Sequence, residues 1–488
     1  MKFGLIKNSL LVFFDRREEE KHRLIFWAWI FLIYLLGLIF FGILFDWRQT
    51  PINYHDWATL NLPRFQVIKE SLTQGVLPLH ISNTRISHDL TDRFLVIPDT
   101  VITPQMALLL FMDSDTFALF DVIIHYTIAT IGLLYFKRKF NLSLFVYAML
   151  FFLFNSNGHI QAHYAVGHAN WGAYFLFPFF VLLLLEFVQD NVGWWWVTKI
   201  ALLSLYVLLT GGQHHFTWMM LFLSLLGLAQ LKQLKWVFAA IVASGFLGAI
   251  RLLPPILIVS DVTSRSVFQF RAGYPGLAEL FNAFISIRPI DHNLSVSNIP
   301  TGYWEYDYFI GILGFALLSF GIWSWLRDPI KPFHKLLVPI IIITALSMGF
   351  LYEYTLFNLP IFASERVISR MISLPVTLLL MISAIYWQKT YEKAASNTTT
   401  YLFAGLGLLL LLNDLLTHTR LWSVKKASEF FSTTQIQFNE NLIQNRADPE
   451  YIQIILVASV LSIVTATVLT GLVLYEKKKI NLKLKNQV

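Results

Sequence analysis

The chain has 488 residues, of which 56% are hydrophobic and only 14% are charged. Soluble domains carry about a quarter charged residues, so this composition excludes a water-soluble enzyme and predicts an integral membrane protein. The absence of cysteine also excludes disulfides, thiol nucleophiles and thiolate metal sites.

The apolar runs predict how often the chain crosses a membrane. A hydrocarbon core about 30 Å thick requires about 20 apolar residues per crossing. We therefore predict an all-α polytopic membrane protein with about 12 transmembrane helices. They lie near residues 24–45, 117–136, 141–154, 171–188, 194–210, 216–231, 236–253, 306–326, 336–352, 367–387, 399–416 and 451–475.

These spans define the predicted domain organisation. Residues 1–416 form a transmembrane domain that includes two long external loops, 46–116 and 254–305. Residues 417–450 form a further external loop. Residues 451–488 provide the last span and a basic cytoplasmic tail.

The net charge of +7 is explained by the predicted orientation of the chain in the membrane. With a cytoplasmic N-terminus, most Lys and Arg residues fall in short inside segments, as the positive-inside rule requires. The basic excess is thus an orientation signal, and no recognition motif suggests a nucleic-acid partner. All histidines except His22 and His334 lie in external loops or at external helix ends, so chemistry is expected on the outer face.

The first external loop is too long for a simple connection. A stretch from Leu62-Pro63 to Gly75 places apolar residues such as Phe65 on one face and polar residues such as Arg64 on the other, which predicts an amphipathic interfacial helix. A second such helix is predicted to begin at Pro275 and to end before Arg288-Pro289, with apolar residues at helical spacing between them. Residues 106–112 are too few to cross and are expected to be interfacial or re-entrant.

Short motifs recur in the external segments. They are Tyr54-His55-Asp56-Trp57, residues 70–79, 98–105 and 158–163, the stretch 303–311 that opens a span, Leu359-Pro360-Ile361-Phe362 and residues 365–370. This order, after a single N-terminal span, resembles the GT-C class of integral membrane glycosyltransferases, in particular bacterial ones that modify extracellular polymers. The layout covers nearly the whole chain.

The resemblance implies an enzyme of the bacterial inner (plasma) membrane with both termini cytoplasmic. It would take a sugar from a polyprenyl-phosphate carrier and pass it to a lipid or glycan acceptor outside. A first-loop acidic residue would act as general base, and Asp56 matches that position. A positioned carboxylate can take the proton that a hydroxyl loses as it attacks the anomeric carbon. A helix cap or a solvated carboxylate is the alternative role for Asp56, and Asp46 is the alternative base.

The departing lipid phosphate needs cationic or hydrogen-bonding donors. Arg366 and Arg370 share one helical face, and the guanidinium fork suits phosphate. Because Arg370 lies inside the membrane boundary, it needs a partner: a lipid phosphate, Glu365 or Glu353, unless it snorkels to the headgroups.

Further polar residues complete the candidate site. His163 and His168 are assigned with the arginines to the donor phosphate. Acceptor or auxiliary contacts are assigned to His55, Glu305, Asp307, His214 and His215. The alternatives are interfacial hydrogen bonds for the imidazoles and helix-dipole pairing for the two carboxylates. The sequence contains no recognisable metal-ligand set, and a divalent metal stays open as a cofactor.

Other charged residues are assigned structural roles. Asp113 is predicted to cap the following helix. Two pairs at i, i+4 spacing, Asp121 with His125 and Asp414 with His418, are expected to satisfy each other. Lys199 and Arg251 are expected to snorkel.

Two other functions compete with glycosyl transfer. A transporter or flippase of a lipid or small solute would need ionisable groups near the midplane, whereas here the charges cluster at the helix ends, and no inverted repeat is visible. A non-catalytic envelope scaffold would tolerate substitution of Asp56.

Overall fold

The computed structural model describes residues 9–259, 273–291, 293–294, 301–359, 362, 365–394, 398–434 and 441–485. Parts of the predicted external loops 254–305 and 417–450, and of the motif at 359–362, lie outside these ranges. The described chain is predominantly helical, as predicted.

The helices follow one another with short connections, many of them 3₁₀ turns. Within the described ranges the α-helices are α1 (Arg23–Leu44), α2 (Leu62–Gln74), α3 (Ser114–Lys139), α4 (Leu144–Asn155), α5 (Gly158–Val166), α6 (Phe177–Val188), α7 (Trp194–Leu209), α8 (Gln213–Ala229), α9 (Leu234–Leu247), α10 (Ala249–Ile258), α11 (Leu277–Ile285), α12 (Gly311–Arg327), α13 (Leu337–Leu346), α14 (Phe350–Thr355), α15 (Ser373–Ala394), α16 (Thr398–Leu421), α17 (Val424–Phe430) and α18 (Pro449–Lys485). Residues 9–14 are also helical.

The strands within the described ranges are very short. They are β1 (His80–Ile81), β2 (Asn293–Leu294), β3 (Thr301–Gly302) and β4 (Leu442–Ile443). β1 pairs antiparallel with β4, and β2 pairs antiparallel with β3. The β1–β4 pair attaches the segment before α18 to the first external loop.

The number of candidate membrane spans is six, or seven if a bent pair counts as one, rather than 12. The six stretches in the described chain are Arg23–Leu44, Ser114–Lys139, Ala169–Val188, Ile368–Lys393, Thr399–Phe430 and Pro449–Lys479. The bent pair, Gln213–Ala229 and Leu231–Leu247, turns by 117°. The higher count treated every apolar run as a crossing, but the 17 residues of α12 extend only about 26 Å at 1.5 Å per residue.

Burial separates a central group of helices from a lipid-facing group. Every residue of α4 and α5 is buried. By contrast, only 11% of the apolar window is buried in each of the last two candidate spans, which contain α16 and α18. Their exposed Leu, Val and Phe side chains suit contact with lipid, so an integral membrane protein is the class that the structure supports.

Polar contacts gather the helix ends into two groups. At one, which we name the basic end, Lys137 Nζ lies 2.6 Å from Glu19 Oε2, and Lys199 pairs with Glu186. The other, which we name the site end, is formed by residues 46–61, 156–176, 303–310 and 365–372. The positive-inside rule predicts that the basic end is cytoplasmic.

The first-loop helix has the predicted bounds but a different environment. α2 ends at Gly75 as expected, yet Phe65 on its apolar face is 1% exposed. The neighbouring Arg64, assigned by periodicity to the polar face, is also buried and lies 3.0 Å from Asp99 Oδ2. The apolar face of α2 packs on protein instead of lipid, because residues 104–110 and α3 cover it.

Two other segments met their predictions only in part. The second predicted helix is confirmed as α11, whose Leu277 and Phe281 are exposed. A 3₁₀-helix at residues 104–110 overlaps the stretch 106–112 that was expected to be interfacial or re-entrant.

One charged side chain expected to snorkel is buried instead. Arg251 of α10 is 4% exposed, and its Nη2 donates to the carbonyls of Ile97 (3.1 Å) and Thr100 (2.9 Å). It therefore holds the first external loop against α10, because a buried guanidinium needs acceptors and the turns at 95–100 supply them.

Candidate functional site

Asp56 lies at the start of a chain of two imidazoles. His168 Nε2 is 3.1 Å from Asp56 Oδ2, and His168 Nδ1 is 2.6 Å from His163 Nδ1. His55 Nδ1 lies 3.5 Å from the other carboxylate oxygen, Oδ1. The Asp56 side chain is 27% exposed, whereas His163 is fully buried.

The end of α5 positions Asp56. The last carbonyls of a helix have no intrahelical partner, and here side chains of residues 54–61 donate to them. Tyr54 Oη donates to Ala165 O (2.8 Å), His55 Nδ1 to Val166 O (2.9 Å) and Trp57 Nε1 to Tyr164 O (3.0 Å). The first-loop motif is thereby fixed against the turn that leads to His168.

Glycine at position 167 permits this close approach. Gly167 has φ +97°, and a Cβ there would lie 2.4 Å from the amide nitrogen of Trp57. Both the left-handed backbone and the contact exclude a side chain. The helix can therefore end directly against residues 56 and 57, which places His163 and His168 beside Asp56.

Glu305 and Arg370 form a second pair at the site end. Arg370 donates through Nε and Nη2 to the two oxygens of Glu305, which is 6% exposed. The Arg370 guanidinium carbon lies 4.9 Å from the centre of a Trp171 ring. The partner of Arg370 is thus Glu305, and neither Glu365 nor Glu353 takes that place.

Asp307 forms a third pair, which is completely buried. Its Oδ2 lies 2.9 Å from His418 Nε2, and both side chains are 0% exposed. His418 Nδ1 lies 2.9 Å from Gln161 Oε1. A Cβ at Gly158 would lie 1.8 Å from Asp307 Oδ1, so glycine is required where α5 begins. The expected pairing of His418 with Asp414 was wrong, because Nε2 of His418 faces Asp307 and its Nδ1 faces Gln161.

Glu365 forms a fourth pair and was not assigned a site role from sequence. Its Oε1 lies 2.8 Å from His214 Nδ1, and its Oε2 accepts from Trp218 Nε1 at 3.0 Å. The neighbouring His215 is 0% exposed and packs against Trp171 with ring centres 5.2 Å apart. Asp56 is therefore not a lone carboxylate, since Asp56, Glu305, Asp307 and Glu365 each have a basic partner.

The remaining assigned residues also lie at this end. Arg366 is partly exposed and precedes the 3₁₀-helix Ile368–Ile372 that carries Arg370, so the prediction that the two arginines share one helical face was wrong. Of the structural predictions, the Asp113 cap is confirmed by its bond to Thr116 N at 2.7 Å. The Asp121–His125 pair is confirmed with a Nδ1–Oδ2 distance of 3.4 Å.

Two carboxyl groups at the site end have pKa values below their ordinary values although both are buried by protein. Burial raises the pKa of Asp56, but the hydrogen bond and charge of His168 outweigh it and leave the pKa below its ordinary value. Burial likewise raises the pKa of Glu305, and the charge of Arg370 reverses the shift. Both groups are therefore carboxylates at neutral pH.

A metal ion has no evident set of ligands here. Among the residues that the structure describes, no group of three or more His, Asp or Glu side chains could hold one. The carboxylates instead have hydrogen-bond donors as partners.

No family model, curated protein or solved structure matches the chain. The site is therefore interpreted from its own geometry.

Trp171 was missed as a central residue of the site. Its indole donates to His159 Nε2 at 3.1 Å, and its rings contact His163, His168 and His215. The signal was present in the sequence, because Trp171 follows His168 by three residues.

Proposed function

We propose that the protein is a membrane glycosyltransferase of the GT-C type. It moves a sugar from a polyprenyl-phosphate carrier to an acceptor hydroxyl on the extracytoplasmic face, with Asp56 as general base. The observation that carries this proposal is the convergence of Asp56, His168, Glu305 and Arg370, which come from distant parts of the chain and meet at one end of the helices.

The reaction requires a base, and Asp56 has suitable properties. Its Oδ2 is held by His168, which leaves Oδ1 to accept the acceptor's proton. As the acceptor oxygen bonds to the anomeric carbon, the bond from that carbon to the phosphate oxygen breaks and the electron pair stays on the phosphate. A general base contributes about 10²- to 10⁴-fold in rate.

The leaving phosphate requires donors, and Arg370 is the best placed. The bonds to Glu305 use Nε and Nη2, so Nη1 is directed elsewhere and can donate to phosphate. Arg366 and His163 are the additional donors in this proposal. Both ring nitrogens of His168 face Asp56 and His163, so His168 positions these two groups. Asp307 and His418 hold the segment that carries Glu305, because both are fully buried.

The acceptor contacts are assigned to the more exposed side of Asp56. His55 contacts Trp304 and Phe431 with ring centres 5.5 and 4.4 Å away. This aromatic edge lies beside Asp56 Oδ1, where a hydroxyl must approach. His214, which pairs with Glu365, and His215, which contacts Trp171, are auxiliary residues in this proposal.

The test compares two acidic residues of the first loop. We expect Asp56→Asn to reduce sugar transfer by about 10²-fold or more in purified protein supplied with its lipid pool. Asp46→Asn is the matched control, since Asp46 accepts from Thr50 Oγ1 at 2.6 Å and has no imidazole chain behind it. Unchanged transfer in Asp56→Asn, or the larger loss in Asp46→Asn, would refute Asp56 as the base.

A further inference from the structure

The protons of the Asp56–His168–His163 chain can be assigned from its geometry. His168 Nε2 faces a carboxylate oxygen at 3.1 Å, so this nitrogen carries a hydrogen and donates. In a neutral His168 the other nitrogen, Nδ1, is then an acceptor. Because His163 Nδ1 lies 2.6 Å away, His163 must donate from Nδ1, which leaves its Nε2 without a hydrogen.

The open end of the chain is therefore a bare nitrogen in a buried place. His163 Nε2 is buried and has no hydrogen-bond partner in the described part of the chain. The His163 ring lies 4.0 Å from a Trp171 ring, and Arg370 lies over the same indole. If a ligand group bound beside Arg370 also reaches His163, it meets an acceptor there, which suits a hydroxyl and opposes an anion.

One added proton reverses this preference. A proton from solvent enters at His163 Nε2, and the hydrogen on His163 Nδ1 passes to His168 Nδ1. His168 then carries a hydrogen on both nitrogens and faces Asp56 as an imidazolium, while His163 stays neutral and donates from Nε2. Burial lowers the pKa of His163 well below its ordinary value, which keeps the added charge on His168, next to the carboxylate.

We propose that an anionic headgroup bound beside Arg370 and His163 takes up one proton into the Asp56–His168–His163 chain. The identity of the anion as a phosphate rests on the proposed function, whereas the proton chain rests on the geometry. The charged and titratable groups around the three-residue chain are His159, His215, Glu305 and Arg370 near the imidazoles and His55 and His88 near Asp56. An added proton offsets the repulsion that the carboxylates of this group exert on an incoming anion.

The chain can also be reset by the reaction. When the sugar leaves, the phosphate gains charge and becomes a stronger proton acceptor, since a phosphate monoester has a second pKa of about 6. His163 Nε2 is then placed to return its hydrogen to the phosphate. The chain regains its first tautomer, and the product leaves with the proton that was taken up from solvent when the substrate bound.

The test measures proton uptake on anion binding to the full chain in detergent. Isothermal titration with farnesyl sulfate avoids the ligand's own ionisation near neutral pH, and farnesyl phosphate provides the second probe. Titrations in two buffers of different ionisation heat give the number of protons taken up, which we expect to be about one per site. Affinity should weaken by up to about tenfold per pH unit in alkaline solution.

Variants identify the group responsible. His163→Gln should bind farnesyl sulfate without proton uptake, whereas His88→Gln, which removes a 40% exposed imidazole, should retain it. Gel filtration and thermal unfolding check that each variant folds. If His163→Gln does not fold, the comparison of two buffers with the wild-type protein still shows whether a proton is taken up.

Each contrary result has a distinct meaning. Binding without proton uptake, or uptake that persists in His163→Gln, would overturn the proton chain alone. Binding that is lost with EDTA and restored by Mg²⁺ would assign charge compensation to a metal and overturn the inference. Failure of both probes to bind would overturn both the inference and the proposed phosphate site.

Discussion

The basic end and the site end both join helix ends through ion pairs, but they use different bases. At the basic end Lys137 pairs with Glu19, and Lys199 pairs with Glu186. At the site end the bases described above are imidazoles and the guanidinium of Arg370, and Asp307 with its partner His418 is completely buried.

This difference has a chemical consequence. A lysine ammonium ordinarily keeps its proton up to a pH of about 10, whereas an imidazole ordinarily changes charge near 6.5. Lysine pairs can therefore join helices without exchanging protons near neutral pH, whereas an imidazole beside a carboxylate is a pair of the type that can exchange them. The nature of the base beside each carboxylate, more than the number of charges, distinguishes the two ends.

The largest expected effect comes from removing the guanidinium at the site end. Arg370→Met leaves Glu305, which is 6% exposed, as an unpaired buried carboxylate, which costs about 3–5 kcal/mol. We expect a lower thermal unfolding midpoint and a loss of transfer of about 10²-fold or more. The double variant with Glu305→Gln should recover stability but not transfer; recovery of both would reduce Arg370 to a structural partner.

The next effect distinguishes the observed partner of His418 from the one expected from spacing. Asp307→Asn removes the carboxylate 2.9 Å from His418 Nε2, and we expect it to cost about 2–3 kcal/mol. The matched control is Asp414→Asn, because Asp414 lies one turn before His418 on α16. We expect this substitution to lower the free energy of unfolding by less than about 1 kcal/mol. Equal unfolding free energies in denaturant titrations would contradict the assigned pair.

A change in pH dependence follows from the partner of Asp56. In the wild type the pKa of Asp56 lies below its ordinary value, so the stability and base function that depend on the carboxylate are lost only as the pH falls through that lower value. In His168→Gln the burial of Asp56 remains but the imidazole is absent, so its pKa rises. The acidic limb of the transfer profile should move to higher pH, whereas an unshifted limb would show that another group controls it.

The smallest effect is expected at the basic end. Lys137→Met removes the partner of Glu19, but burial raises the pKa of Glu19, so this carboxyl can take a proton instead of staying charged. We expect a cost of about 1–2 kcal/mol and transfer within about twofold of wild type. A loss of transfer comparable to that of Arg370→Met would remove the distinction between the two ends.

Local features of the fold could be predicted from sequence. Periodicity and end signals gave the bounds of α2 and the presence of α11, which is shorter at both ends than predicted, and the Asp113 cap formed as expected. The number of spans could not be predicted in this way. Hydropathy identifies an apolar run, but it does not show whether the helix that forms there is long enough to cross a membrane. The environment of Arg64 was equally hidden, since its partner Asp99 lies outside the helix.

The pairings at the site depend on contacts between distant residues. Arg370 and Glu305 are 65 positions apart, and His418 and Asp307 are 111 apart. Spacing along one helix favoured Asp414 as the partner of His418, because sequence reasoning sees only neighbours on the same helix. The convergence of the polar residues could be anticipated from topology, but which carboxylate meets which base is decided by how segments that are distant in sequence pack together.

The most direct test of the account is mass analysis of the lipid that co-purifies with the inactive Asp56→Asn protein. If the site end binds a polyprenyl-phosphate sugar and Asp56 is the base, the variant should retain that donor, and Arg370→Met should lose it. Purification of Asp56→Asn with ordinary phospholipid only, in the same composition as Arg370→Met, would contradict the account.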